Sequence, residues 1–144
     1  MKIFFDVDFT LVGVDRSLRP GVHEVFRRLR EDGHEVYLWS GQRNPWHAVN
    51  DYNLQEYVVN CYRKPIEDHH FHIKYLNIPT PDFCVDDNRE IIDVFGGYTI
   101  PPYIYPENPD EHMWRVYDAI QEMLAHRHNG GVGEPRDWRR YNGT

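Results

Sequence analysis

The stretch Lys2-Ile3-Phe4-Phe5-Asp6-Val7-Asp8-Phe9-Thr10-Leu11-Val12 decides how this chain folds. Its near-continuous apolar run over residues 2–7 predicts a buried strand of the kind found in parallel sheets covered on both faces. The run leads into two aspartates one residue apart, with a Thr just beyond. Residues i and i+2 of an extended segment point to the same side, so Asp6 and Asp8 are expected together where the strand ends. Two carboxylates that close repel one another and favour a proton or a cation between them. Mg2+ suits such a place, since it takes oxygen ligands and often uses only one or two carboxylates.

Outward from this strand, strand and helix patterns alternate. Pro20 is expected to open a helix in which Val22, Val25, Phe26 and Leu29 recur at helical spacing, and Gly33 stops it. Residues 34–39 read as a second strand ending at Ser40-Gly41, and a helix is expected from Pro45 to about Tyr52. Residues 56–61 suit a third strand, 67–76 a helix, and Phe83-Cys84-Val85 a fourth strand running into Asp86-Asp87. A helix over 88–95, a short strand over 98–100 and a final helix after Asp110 complete the pattern. Alternation of this kind predicts an α/β fold with a mainly parallel sheet. Residues 1–126 form the expected core. Residues 127–144 read as a flexible, Gly-rich tail with a basic-aromatic end at Trp138, Arg139 and Arg140.

The chain has 144 residues, 40% hydrophobic and 27% charged, an ordinary globular mix with material for one core. A net charge of −7 argues against a general nucleic-acid-binding surface. No apolar run is long enough to span a membrane, and no signal peptide is expected, because Asp6 and Asp8 interrupt the first apolar segment. Cys61 and Cys84 lie in apolar, strand-like contexts, so buried thiols and a cytoplasmic location are expected.

Ligands of open α/β sheets bind beyond the carboxyl ends of the strands. Asp6 and Asp8 lie at the end of the first predicted strand, and Ser40, Gly41, Gln42 and Arg43 at and beyond the end of the second. Lys64 lies beyond the third, and Asp86 and Asp87 beyond the fourth. Acids, a hydroxyl and a lysine on one edge suit a phosphate ester, with carboxylates on Mg2+ and Ser and Lys on the phosphate oxygens.

Four segments resemble the motifs of the haloacid dehalogenase (HAD) superfamily, in its phosphatase branch. Asp6-Val7-Asp8-Phe9-Thr10 is similar to its Asp-x-Asp-x-Thr, Leu38-Trp39-Ser40-Gly41 to its strand ending in Ser or Thr, Arg63-Lys64-Pro65 to its lysine motif, and Val85-Asp86-Asp87 to its paired acids. The resemblance spans roughly the first hundred residues and implies a Rossmann-like three-layer sandwich. It implies that Asp6 is the nucleophile that becomes an aspartyl-phosphate, and that Asp8 protonates the leaving oxygen and then activates water. It implies Mg2+ on the Asp6 carboxylate, the Asp8 backbone carbonyl and the Asp87 carboxylate, with Asp86 on the metal through water or orienting Lys64. Ser40 and Lys64 would hold the phosphoryl group, helped by backbone N–H groups near Phe9 and Gly41, and Thr10 would brace Asp8.

Relatives often carry a cap domain. Residues 12–19 and 41–85 leave no room for a substantial cap here, so the site is expected to be open. An open site favours a large phosphorylated substrate end, on a protein or a nucleic acid, or a homo-oligomer that covers it; a small phosphorylated molecule is the remaining class. A shorter resemblance, through Asp86-Asp87 and Ser40-Gly41-Gln42-Arg43, is to the phosphatase part of polynucleotide kinases. A catalytically silent binding or regulatory domain is the competing class.

His69, His70 and His72 invite a zinc reading, but their spacing is poor for one helical face and no Cys is near in sequence, so a solvated helix face is expected. Tyr103, Tyr105 and Trp114 read as packing or loop anchors, and Arg43 as either a substrate contact or a surface charge.

Overall fold

The computed structural model describes residues 1–128 and 141–142. Its sheet is built from β1 (Lys2–Asp6), β2 (Glu35–Ser40), β3 (Val58–Arg63), β4 (Phe83–Asp86) and β5 (Gly97–Thr99), with the two-residue β6 (Tyr141–Asn142) at one edge. The strand order is β3-β2-β1-β4-β5-β6, and every neighbouring pair is parallel. The intervening helices are α1 (Val22–Glu31), α2 (Trp46–Asp51), α3 (His69–Tyr75), α4 (Arg89–Phe95) and α5 (His112–His128). The chain therefore has the Rossmann-like α/β architecture, and β1, whose apolar run opened the reading, lies in the middle of the sheet.

Strand alternation sorts the core into two layers. Ile3 and Phe5 of β1 pack with Val25, Phe26 and Leu29 of α1 and with Val116, Ala119 and Ile120 of α5. Phe4 faces the other way, into a cluster with Tyr37, Trp39, Ile73, Cys84, Ile91 and Ile92, which brings in α3 and α4. Both faces of the sheet are covered, which explains why β1 is apolar at consecutive positions. Phe4 lies between Tyr37 and Trp39, with ring centroids 4.7 Å from each.

Several boundaries differ from expectation for local reasons. Pro20 and Gly21 make the turn before α1, which begins only at Val22, because Gly21 takes φ 88°. β3 starts later, at Val58, since Tyr57 and Val58 donate to the Leu54 carbonyl and close a turn around that buried side chain. α3 is shorter than residues 67–76, its start set by Asp68 in the left-handed region at φ 45°. α4 begins at Arg89 because Asn88 caps it, its side chain accepting the Glu90 N–H at 3.0 Å. Asp110 accepts the His112 N–H at 3.1 Å at the start of α5.

α5 runs past the expected core boundary at 126, through residue 128. Tyr141 and Asn142, expected in the flexible tail, instead pair with Tyr98 and Thr99. The rest of that tail, with Trp138, Arg139 and Arg140, lies outside the described residues. Cys61 and Cys84 are free and buried, as expected. Among the described residues no helix is long and apolar enough to cross a membrane.

Candidate active site

The sheet register assembles the site. Phe4 pairs with Cys84 and Phe5 with Val85, so continuing by one residue sets Asp6 beside Asp86 at the carboxyl ends of adjacent strands. Both continue the side of the sheet on which Phe4 and Cys84 pack, as residues two apart must. On the far side of β2, Trp39 pairs with Tyr62 and Ser40 with Arg63, which brings Lys64 past the end of β3 toward the same side. The Lys64 N–H donates to the Ser40 carbonyl at 2.8 Å and ties the two strand ends together.

The Lys64 ammonium then joins two carboxylates. Nζ lies 3.0 Å from Asp6 Oδ1 and 2.8 Å from Asp86 Oδ2. The other Asp86 oxygen accepts the Asn88 N–H at 2.8 Å, and its side chain is wholly buried. Asp87 completes the group: Asp6, Asp86 and Asp87 each offer an oxygen, all within 4.8 Å of one another.

Two carboxylates share one ammonium with a third acid close by, and the protonation equilibria reflect it. Burial, then the Asp86 charge, pushes Asp6 up to about 8 against the lowering effect of Lys64. Burial raises Asp86 as well, with Lys64 and the Asn88 N–H offsetting only part of the rise. Burial acts against the Lys64 ammonium, but Asp6 and Asp86 outweigh it and hold Lys64 above its ordinary value. The donor set is all oxygen and short of positive charge, and this fits a hard divalent cation.

The segment after β1 corrects the sequence reading. The Thr10, Leu11 and Val12 N–H groups all converge on the Val7 carbonyl, and Phe9 takes φ 62°. This tight reversal turns Thr10 inward, where Oγ1 donates to Asp6 Oδ2 at 3.1 Å. Thr10 thus braces Asp6, not Asp8. Asp8 is exposed, and its carboxylate is not part of the cation-holding group. The crowded acids are Asp6, Asp86 and Asp87, not Asp6 and Asp8. The Phe9 N–H, expected to help hold a phosphate, is bonded to the Val12 carbonyl at 2.8 Å.

Ser40 is buried, with Oγ 3.4 Å from the Gln42 N–H it accepts, and Gly41 is half-buried. Arg43 is exposed and meets His47 at 3.2 Å. The three histidines diverge. His69 is buried and edge-on to Phe95, which overturns the expected solvated face at that position. His70 is exposed and also packs on Phe95, while His72 Nδ1 lies 2.7 Å from the Glu67 carbonyl. No histidine joins a cation-holding group among the described residues. Tyr103 is a buried loop anchor, its hydroxyl 2.8 Å from Ser17 Oγ, whereas Tyr105 is exposed and Trp114 lies edge-on to Tyr117.

Sequence reading passes over Arg19, which supports the site from behind. Its side chain is 2% exposed. Nε pairs with Asp110 Oδ2 at 3.0 Å, Nη1 donates to the Thr10 carbonyl at 3.0 Å and Nη2 to the Pro101 carbonyl at 2.8 Å. Its guanidinium also lies 5.3 Å from the Tyr103 ring centre. One residue thereby ties the loop that carries Thr10 to the segment after β5 and to the start of α5. In sequence Arg19 looks like the surface arginines Arg27, Arg28 and Arg30. Beside Lys64 an open cleft of about 290 Å³ is lined by Gly41, Arg63, Pro65, Ile66, Glu67, His72 and Leu76.

No family model and no curated protein matches the chain. A solved structure of an uncharacterized protein from Listeria monocytogenes serotype 4b is similar, with a TM-score of 0.61 over 87% of this chain and 99% of that one. The two are 13% identical, so the likeness shows the shared α/β fold and nothing of activity.

Proposed function

We propose that this protein is a Mg2+-dependent phosphomonoester hydrolase of the HAD type, working through an aspartyl-phosphate on Asp6. One observation carries the reading. A buried strand-end carboxylate, Asp6, is held at once by Lys64 and by Thr10 within a cluster of three acids. A purely structural ion pair needs no third carboxylate crowded against it, since an uncompensated buried charge is costly.

Bound at Asp6, Asp87 and the Asp8 backbone, with Asp86 close by, Mg2+ would offset the negative charge that meets an incoming phosphate. An Asp6 oxygen attacks phosphorus and the bond to the leaving oxygen breaks, while exposed Asp8 gives that oxygen its proton. Lys64 and Ser40 bind the phosphoryl oxygens. A water then attacks the phosphorus of the acyl phosphate, Asp8 takes its proton, and orthophosphate leaves with Asp6 restored. Lys64 has a second task, which is to offset part of the rise that burial imposes on the Asp6 carboxyl. The segments that follow β1 and β2, residues 7–21 and 41–57, contain only turns, single bridges and α2, in keeping with an open site. Free, buried thiols at Cys61 and Cys84 suit a reducing, cytoplasmic compartment.

Phosphate release should be measured over sugar phosphates, nucleotides, phosphopeptides and 3′-phosphorylated oligonucleotides, with and without Mg2+. Release that needs Mg2+ and is abolished in Asp6→Asn supports the reading. No release from any substrate, or equal release by Asp6→Asn, leaves a catalytically silent domain of this fold.

A further inference from the structure

We infer that the cleft beside Lys64 receives the leaving group of a small phosphomonoester, and that this group carries a planar ring, aryl or nucleobase. The inference rests on the phosphatase reading of Asp6 and Lys64. Gly41 and Lys64, at the proposed phosphate end of the site, also line the cleft, so the two lie side by side. A Cβ added at Gly41 would come 3.4 Å from Ile66 Cγ2 and 3.9 Å from Lys64 Cε.

The lining selects the occupant. Pro65, Ile66 and Leu76 form an apolar wall, and Ile66 is 70% exposed and Leu76 49% exposed, large apolar surface left to water. Sugar hydroxyls laid against that wall would lose water without gaining partners. A flat ring would cover it without that cost. Arg63, also in the lining, carries the planar cation that stacks on ring faces. His72 supplies an edge contact. A carbonyl only accepts, so the Nδ1 that meets the Glu67 carbonyl carries the proton, and Nε2 is left to meet a polar group on the ring edge. At about 290 Å³ the cleft holds one compact unit, below the usual range for drug-sized ligands.

The test compares kcat/KM of the full chain with Mg2+ for p-nitrophenyl phosphate, adenosine monophosphate, glycerol 2-phosphate and a phosphoserine peptide. The ring esters should exceed glycerol 2-phosphate by roughly tenfold, and Ile66→Ser or Leu76→Ser should lower that ratio by roughly tenfold. The first two substrates separate a simple aryl group from a nucleobase. Preference for glycerol 2-phosphate or the peptide, or a ratio unmoved by both substitutions, overturns the inference. If none of these four esters is cleaved, the wider substrate panel decides the phosphatase reading and calorimetry decides the cleft. Weaker binding of adenosine monophosphate by the two variants, with inorganic phosphate as the reference ligand, upholds it. Equal binding by variants and native chain overturns it.

Discussion

The Lys64 ammonium sits between Asp6 Oδ1, at 3.0 Å, and Asp86 Oδ2, at 2.8 Å, and all three side chains are at most about one-tenth exposed. β1 and β4 are neighbours in the sheet, so their strand-end acids meet whether or not a cation is present. Lys64 reaches them from β3, two strands from β1.

Lys64→Met should therefore destabilise the metal-free protein by about 3–5 kcal/mol, the usual cost of leaving a buried charge without its partner. Denaturant unfolding measures it. Mg2+ should raise the melting temperature of this variant more than that of the native chain, because the acids then have no other cation. Equal shifts would argue that the cation binds elsewhere.

Asp6 is raised from 3.8 to about 8 by burial, with Asp86 and Asp87 adding to the rise. Between those values the folded state holds a proton that the unfolded chain has released, so stability falls as pH rises. Thermal melting in EDTA should show a melting temperature that declines from about pH 4 to about pH 8. Mg2+ competes with that proton, so its stabilising effect should grow over the same window. Asp86→Asn should flatten the profile. A metal-free melting temperature that climbs over this range would contradict the charge balance of the site.

Arg19 and Asp110 form an ion pair in which both side chains are at least 96% buried. Arg19→Met should cost about 3–5 kcal/mol, and a double-mutant cycle with Asp110→Asn should show strong coupling. The same change frees the Thr10 carbonyl, so the proposed phosphatase turnover should fall further than the remaining folded fraction explains.

Gly97 takes φ 138°, and a Cβ there would collide with the Cys84 backbone, its carbonyl oxygen first. Gly97→Ala should separate β5 from β4 and cost more than about 4 kcal/mol, seen as loss of soluble folded protein. Gly33 is the contrast: it has φ 88° but no atom within 4 Å of an added Cβ. Gly33→Ala should cost only the backbone strain, about 1–2 kcal/mol, and leave the fold intact.

The fold and the membership of the site were legible in the sequence wherever they follow from strand periodicity. The apolar run of β1 marks a central strand, and Asp6, Ser40, Lys64 and Asp86 stand at or just past strand ends, which parallel strands carry to one edge of the sheet. Contacts made inside that edge were not legible. The resemblance implies that Thr10 braces Asp8, whereas the reversal at Phe9 turns it onto Asp6. His69 reads as part of a solvated face because the spacing of the three histidines suits no metal site, yet Phe95 of α4 packs on it.

Residue order alone determined the alternation of strands and helices, the central place of residues 2–6 and the set of polar groups at the strand ends. These follow from local periodicity and from the short reach of the connections. Only the tertiary structure decided that Asp86 and Asp87, rather than Asp8, crowd Asp6, and that Arg19 braces Thr10 from Asp110. Those are contacts between segments far apart in the chain. Sheet register and loop reversal set them, and neither leaves a pattern in the residues that take part.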